Sequence, residues 1–217
     1  MQFFPAVLLL AALPLAAQTT KNSGARWDQV YLNPDSKVPV NPSTLVLEAT
    51  ANLKSGVALD VGMGNGRNAI YLARKGWKVT GVDISQAAVK QAQAEAAKLK
   101  LELDVRAGDI ERMDIGRDKY DLIICMYIHM VPIRNAKKFM DALKPGGTLI
   151  VEGHHAEAQA MGLHPVSGGP PGYMNNQLLK AFERLRIVRY EDRTTQAEWS
   201  NGPEGRAPIV RMVARKE

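Results

Sequence analysis

The chain has 217 residues, 46% of them hydrophobic, and a formal net charge of +6. That length suits one well-buried domain and is short for two, and a charged fraction of 23% argues against disorder and coiled coil. Basic residues are interspersed with acids, as at Arg184, Arg186, Arg189, Glu191, Asp192 and Arg193, so no nucleic-acid surface is expected, and the single cysteine, Cys125, excludes an intramolecular disulfide or a cysteine-rich zinc site.

Residues 3–17 are apolar throughout, a length that suits a secretory signal and is short for a bilayer span. Ala16 and Ala17, followed by Gln18-Thr19-Thr20-Lys21, read as a cleavage region. Residues 1–18 are therefore expected to be a signal peptide and the mature domain to be exported. No Lys or Arg precedes the apolar run, which leaves a hydrophobic anchor or a cytoplasmic protein as the alternative. Residues 19–42, punctuated by Pro34, Pro39 and Pro42, read as an irregular linker or lid. Trp27 and Tyr31 in that segment either fold over a ligand, shielding it from water, or pack into the core.

The domain itself occupies 43–217. After a short helix opened by Ser43, an alternation begins. Strands are expected at 57–61, 77–82, 102–107, 120–126 and 148–152, and helices at 66–75, 85–100 and 134–143. Such alternation builds a parallel sheet with helices on both faces, joined by right-handed crossovers. A Gly/Pro-rich loop at 162–172 and one more helix precede two strand-like segments, 185–190 and 209–214, which read as a hairpin. The expected fold is α/β and doubly wound: a mostly parallel seven-stranded, Rossmann-like sheet with an antiparallel C-terminal strand.

The first strand runs into Asp60-Val61-Gly62-Met63-Gly64-Asn65-Gly66. Glycines here let backbone N–H groups approach a ligand at the positive end of the following helix. Position 67, where a dinucleotide fold has its third glycine, is Arg67, and no Gly-Lys-Ser/Thr follows, so neither a dinucleotide loop nor a Walker loop is present. Asp83 ends the second strand, where a carboxylate can accept from two vicinal ribose hydroxyls, or else form a turn before Ser85. Asp109 follows the third strand in Ala107-Gly108-Asp109-Ile110.

In this order and spacing the elements resemble the class I S-adenosylmethionine (SAM)-dependent methyltransferases. The resemblance implies SAM as cofactor. It implies that Asp60 helps position the cationic methionine end, that Gly62, Met63, Gly64 and Gly66 form the backbone cradle, and that Asp83 and Ile84 hold the ribose. It further implies that Asp109 accepts from the adenine amino group while the Ile110 N–H meets the ring. Met63 departs from the cysteine of many relatives. Gly64-Asn65-Gly66-Arg67-Asn68, the Gly168-Gly169-Pro170 loop and the ending Val210-Arg211-Met212-Val213 are similar to the small tellurite-resistance and thiopurine-methyltransferase-like group. That implies methyl transfer to a small, soft acceptor.

Acceptor residues are expected past the fourth and fifth strands. Cys125-Met126-Tyr127-Ile128-His129 lacks an Asn-Pro-Pro-Tyr motif, which disfavours amino methylation of bases or glutamine. His129 is the candidate polar group facing the acceptor, its alternative being a buried histidine bonded to backbone. His154, His155 and His164, with Glu152, raise a metal site, but adjacent residues on a strand diverge, so a polar acceptor-side loop is the expectation.

Overall fold

The computed structural model describes residues 15–163 and 171–217. Helices α1 (Leu15–Leu32) and α2 (Thr44–Thr50) precede the alternating part. That part comprises β1 (Val57–Val61), α3 (Arg67–Arg74), β2 (Lys78–Asp83), α4 (Gln86–Lys98) and β3 (Asp104–Ala107), then β4 (Tyr120–Met126), α5 (Met130–Arg134), α6 (Ala136–Ala142) and β5 (Leu143–His154). Short helices α7 (Ala156–Ala160) and α8 (Gln177–Ala181) lead to β6 (Arg186–Gln196) and β7 (Arg206–Arg215).

The strands form one seven-stranded sheet in the order β3-β2-β1-β4-β5-β7-β6. Neighbours from β3 to β5 pair in parallel, whereas β7 lies antiparallel between β5 and β6. The expected fold is present, antiparallel C-terminal strand included. From β1 the chain winds outward to β3, then returns to place β4 on the other side of β1. Such a switch point opens a crevice at the carboxyl ends of the strands.

Strand alternation divides the core. Leu59, Val61, Ile123, Cys125, Leu149 and Val151 face one layer with Phe139, Tyr173 and Phe182. Ala58, Leu122, Ile124 and Ile150 face the other with Leu45, Ala69, Leu72 and Trp77. A sheet covered on both faces needs apolar residues at successive positions, which is why these strands read as continuous apolar runs.

Three differences from the sequence expectation have physical causes. Residues 22–32, expected as irregular, belong to α1, although Asn22, Ser23 and Gly24 are weak helix formers. Tertiary contacts hold this helix. Asp28 Oδ1 accepts from Ser85 Oγ at 2.6 Å and from the Ala87 N–H at 2.9 Å, so α1 helps cap α4, and Gln91 donates to Tyr31 O at 2.7 Å. Gly24 permits the approach, since a Cβ there would lie 3.1 Å from Ile84 O. The helix expected at 134–143 is instead α5 and α6, broken at Asn135. The terminal hairpin is longer than its apolar stretches because β6 carries polar residues on a solvent-facing edge. Among the described residues, no helix is long and apolar enough to cross a membrane. His164 and Gly168-Gly169-Pro170 lie outside the described residues.

Candidate functional site

After Val61 the chain turns through Gly62, Gly64 and Gly66, at φ of +66°, +60° and +81°. These are left-handed conformations that side chains resist. The Gly62 and Met63 N–H groups both donate to Val82 O, at 2.8 and 3.1 Å, which pins the loop to β2. A Cβ at Gly62 would collide with Ile128, and one at Gly64 with the Tyr31 hydroxyl. Gly66 has a different role. It does not line the cavity, and a Cβ there would sit 2.7 Å from Ala92 Cβ, so its bareness brings α3 against α4.

Gly62, Met63 and Gly64 form one wall of a cavity of about 550 Å³. Asp83, Ile84, Asp109 and Ile110 line the same cavity. Asp83 Oδ2 accepts from the Gly64 N–H and Oδ1 from the Ser85 N–H, both at 2.8 Å. Each oxygen keeps a second lone pair, so the turn and ligand readings of this residue are compatible. Burial raises its pKa and the two backbone donors oppose the rise. Asp109 Oδ1 accepts from the Glu111 N–H at 3.0 Å. Lys138 braces this turn by donating to Ile110 O at 2.6 Å, and Arg134 pairs with Glu111.

Asp60 is fully buried and is not part of the cavity lining. Among the described residues neither carboxylate oxygen has a well-formed hydrogen bond, although the Ala69 backbone N–H faces the group and opposes the rise of its pKa. Burial pushes its pKa up to about 7, opposed by the Arg67 guanidinium and reinforced by Asp83. A buried acid directly before the glycine loop, with no well-formed hydrogen bond of its own, suits a cationic amine held over that loop. The residues present therefore fit SAM: an acid for the amine, bare backbone for the bulk, and Asp83 for the ribose.

At the other end the backbone is strained. Tyr127 and His129 have φ of +59° and +31°, rare for such residues, and strain of this kind gathers at ligand sites. His129 is 3% exposed and lines the cavity. Its Nε2 accepts from the His154 N–H at 3.1 Å, and the two imidazoles stack with centroids 5.5 Å apart. Gly153 makes room, since a Cβ there would lie 2.9 Å from the Tyr173 ring and 3.1 Å from His129 Cδ2. Of the residues past the fifth strand, His154 lines the cavity, His155 contacts Asn175 at 3.2 Å, and buried Glu152 pairs with Arg211.

Trp27 and Tyr31 both line the cavity, with ring centroids 6.3 Å apart. Trp199 completes the group, edge-on to Trp27 at 6.2 Å. Trp199 and Glu198 were not singled out from sequence, and Arg67 only as a position without a glycine. The available signal was a Trp and an acid between the two strands of the terminal hairpin.

Residues 58–147 match the family model described as a methyltransferase domain. The chain is 34% identical over 179 residues to the ubiquinone biosynthesis O-methyltransferase of Coxiella burnetii, covering 78% of this chain and 75% of that protein. Its fold is similar to TehB from Haemophilus influenzae, with a TM-score of 0.65 and 22% identity over 79% of this chain and 61% of that one. It is also similar to the N-methyltransferase NodS from Bradyrhizobium japonicum in complex with S-adenosyl-L-homocysteine (SAH), with a TM-score of 0.67 and 17% identity over 90% and 98% of the two chains. Since sequence likeness to a methyltransferase runs through three quarters of that protein, and the cavity sits where the fold binds ligands, the chain belongs to the class I SAM-dependent methyltransferases.

Proposed function

We propose that this cavity is the SAM site and that the methyl acceptor is a small molecule held beside it, between His129, His154 and the Trp27–Trp199 pair. One observation carries the reading. Loops following β1, β2 and β3 meet in a single cavity that also takes in His129 and His154 and is lined by α1 aromatics. Its volume falls in the range of small-molecule sites, about 300–1,000 Å³.

Bound SAM supplies an electrophilic methyl group on a sulfonium. The protein binds, orients and excludes water. Asp83 and the glycine loop hold the nucleoside, and Asp109 with Ile110 the base. Trp27, Tyr31 and Trp199 shield the centre, and aromatic faces attract a sulfonium. His129 orients the acceptor. With Nε2 accepting a backbone N–H, a neutral imidazole carries its proton on Nδ1 and acts there as a donor. Acceptors that ionise near working pH need no base. The relative's name, an O-methyltransferase, favours an oxygen acceptor, and an acidic phenol is one that ionises near working pH, while the soft-acceptor expectation adds thiols to the test.

A panel of phenols and thiols assayed for SAH release tests this. We expect turnover with at least one of them. Tight SAH binding with no release on any of them, or strong RNA binding at low salt, would overturn the small-acceptor reading.

We further propose that residues 1–18 direct export. Helix α1 runs through the expected cut, so a mature chain starting near Gln18 keeps Trp27, Asp28 and Tyr31. N-terminal sequencing from fractionated cells checks it, and a cytosolic chain starting at Met1 refutes it.

A further inference from the structure

The proposed site leaves Arg67 unassigned. Arg67 opens α3 directly after the glycine loop, and its side chain is 7% exposed yet lines the cavity. One terminal nitrogen pairs with Glu198 Oε2 at 2.5 Å and the other donates to Asn41 O at 2.7 Å. A guanidinium has five N–H donors, so these two contacts hold its plane and leave capacity for a further partner. Its electrostatic neighbour is Asp60, the buried acid whose oxygens have no well-formed hydrogen bond among the described residues.

Sheet order tells which part of the ligand arrives there. Along the carboxyl edge, Asp109 follows β3, Asp83 ends β2 and the loop to Arg67 follows β1, in the spatial order β3-β2-β1. SAM has the covalent order adenine, ribose, sulfur, amino acid. With adenine at Asp109 and ribose at Asp83, its amino-acid end comes to β1. Among the described residues three arginines line the cavity: Arg134 beside Glu111 next to Asp109, Arg26 on α1, and Arg67 at the glycine loop. Of these, Arg67 is the one whose charge acts on the buried acid. A zwitterion needs a cation and an anion near each other, and Arg67, which lines the cavity and acts electrostatically on Asp60, supplies the cation.

We propose that Arg67 binds the α-carboxylate of the amino-acid end of SAM, and that Glu198 is a positioning residue that holds the guanidinium in the cavity wall. The proposal rests on the SAM reading of this cavity. Glu198 is itself fixed: its Oε1 accepts from the Thr44 N–H at 3.0 Å, and its own N–H donates to the Tyr127 hydroxyl at 3.1 Å. The loop carrying Trp199 is thereby tied through Arg67 to the cofactor end of the cavity.

The test compares two ligands by calorimetry. SAH carries the amino acid, and 5′-methylthioadenosine keeps the adenosyl thioether without it. For Arg67→Gln, SAH affinity is expected to fall about 10- to 100-fold, the range of a charge-assisted hydrogen bond, while 5′-methylthioadenosine stays within about threefold of wild type. Parallel losses for both ligands would show that Arg67 only braces the loop and would overturn the proposal, as would unchanged SAH affinity. Arg67→Lys is the second variant should the glutamine variant not fold. It keeps the charge but not the fork, and selective partial loss of SAH affinity supports the proposal whereas parallel loss overturns it. Failure of wild type to bind either ligand would be a different result, refuting the SAM reading of the cavity itself.

Discussion

Asp83 and Gly64 are joined by a hydrogen bond of 2.8 Å, from the Gly64 backbone N–H to Asp83 Oδ2. It ties the residue at the end of β2 to the middle of the loop that follows β1. One carboxylate therefore shapes the glycine loop and presents its remaining lone pairs to the cavity. Asp83→Ala should weaken SAH binding about 10- to 100-fold, since it removes bonds to a charged acceptor. Calorimetry reads this directly, and equal affinity for both proteins would reject the ribose assignment.

Asp60 makes the ligand-free protein sensitive to pH. Its folded-state pKa of about 7 lies above the ordinary 3.8. The folded protein therefore holds the extra proton across that window, and stability falls as pH rises from about 4 to 7. A shift of this size corresponds to a penalty on the order of 4 kcal/mol above the window. Asp60→Asn removes that penalty but buries an amide, at about 1–3 kcal/mol. The variant should thus be more stable than wild type at pH 8 by roughly 1–3 kcal/mol, while binding SAH more weakly. Denaturant titration at pH 5 and pH 8 checks the sign: the gain should appear only at the higher pH.

Gly66 and Ala92 form a contact that a single methyl group would break. Gly66→Ala introduces a Cβ 2.7 Å from Ala92 Cβ at a φ of +81°. A loss of about 2–4 kcal/mol is expected from strain and overpacking combined. Adding Ala92→Gly should recover the steric part but not the backbone part. Measured against Ala92→Gly alone, which carries the cost of a glycine inside α4, a coupling energy near zero would place the whole effect in φ.

Asp28 couples the lid to the cofactor side of the sheet. Asp28→Ala removes the acceptor of the Ala87 N–H and the partner of Ser85. A cap of this kind is worth about 1 kcal/mol. Loosening α1 also frees Trp27 and Tyr31, so SAH affinity should drop several-fold together with protection of α1 in hydrogen exchange. Loss of stability with unchanged affinity would separate α1 from ligand binding.

His129 is expected to act on the acceptor and not on the cofactor. His129→Ala should lower kcat about 10- to 100-fold through misplacement of the acceptor. SAH affinity should remain within about twofold. A matching loss in SAH affinity would move His129 to the cofactor side.

Much of the strand-end lining of the cavity was legible in the sequence because its signals are local. Asp60 to Gly66, Asp83 and Asp109 each stand at the end of an apolar run, and in a parallel sheet all such ends point to one edge. That edge is where the structure places Gly62, Gly64, Asp83 and Asp109 around one cavity. The helical state of residues 22–32 was not legible, because their propensity is poor and the stabilising bonds come from Ser85, Ala87 and Gln91 on α4. Arg67 was visible only as a position without a glycine, since its partners Asn41 and Glu198 lie 26 residues before it and well over a hundred after it.

The sequence by itself determined the strand order of use, the bare loop and the acids at successive strand ends, since these depend on spacing along a single run of chain. Tertiary structure alone decided which residues close the cavity. Packing α1 on α4 brought Trp27 and Tyr31 to the glycine loop, and hairpin pairing of β6 with β7 carried Glu198 and Trp199 to meet them. It also decided that Gly66 serves helix packing while Gly62 and Gly64 serve the cavity. These outcomes depend on which surfaces meet in space, and the spacing of a motif carries no information about a surface contributed from the far end of the chain.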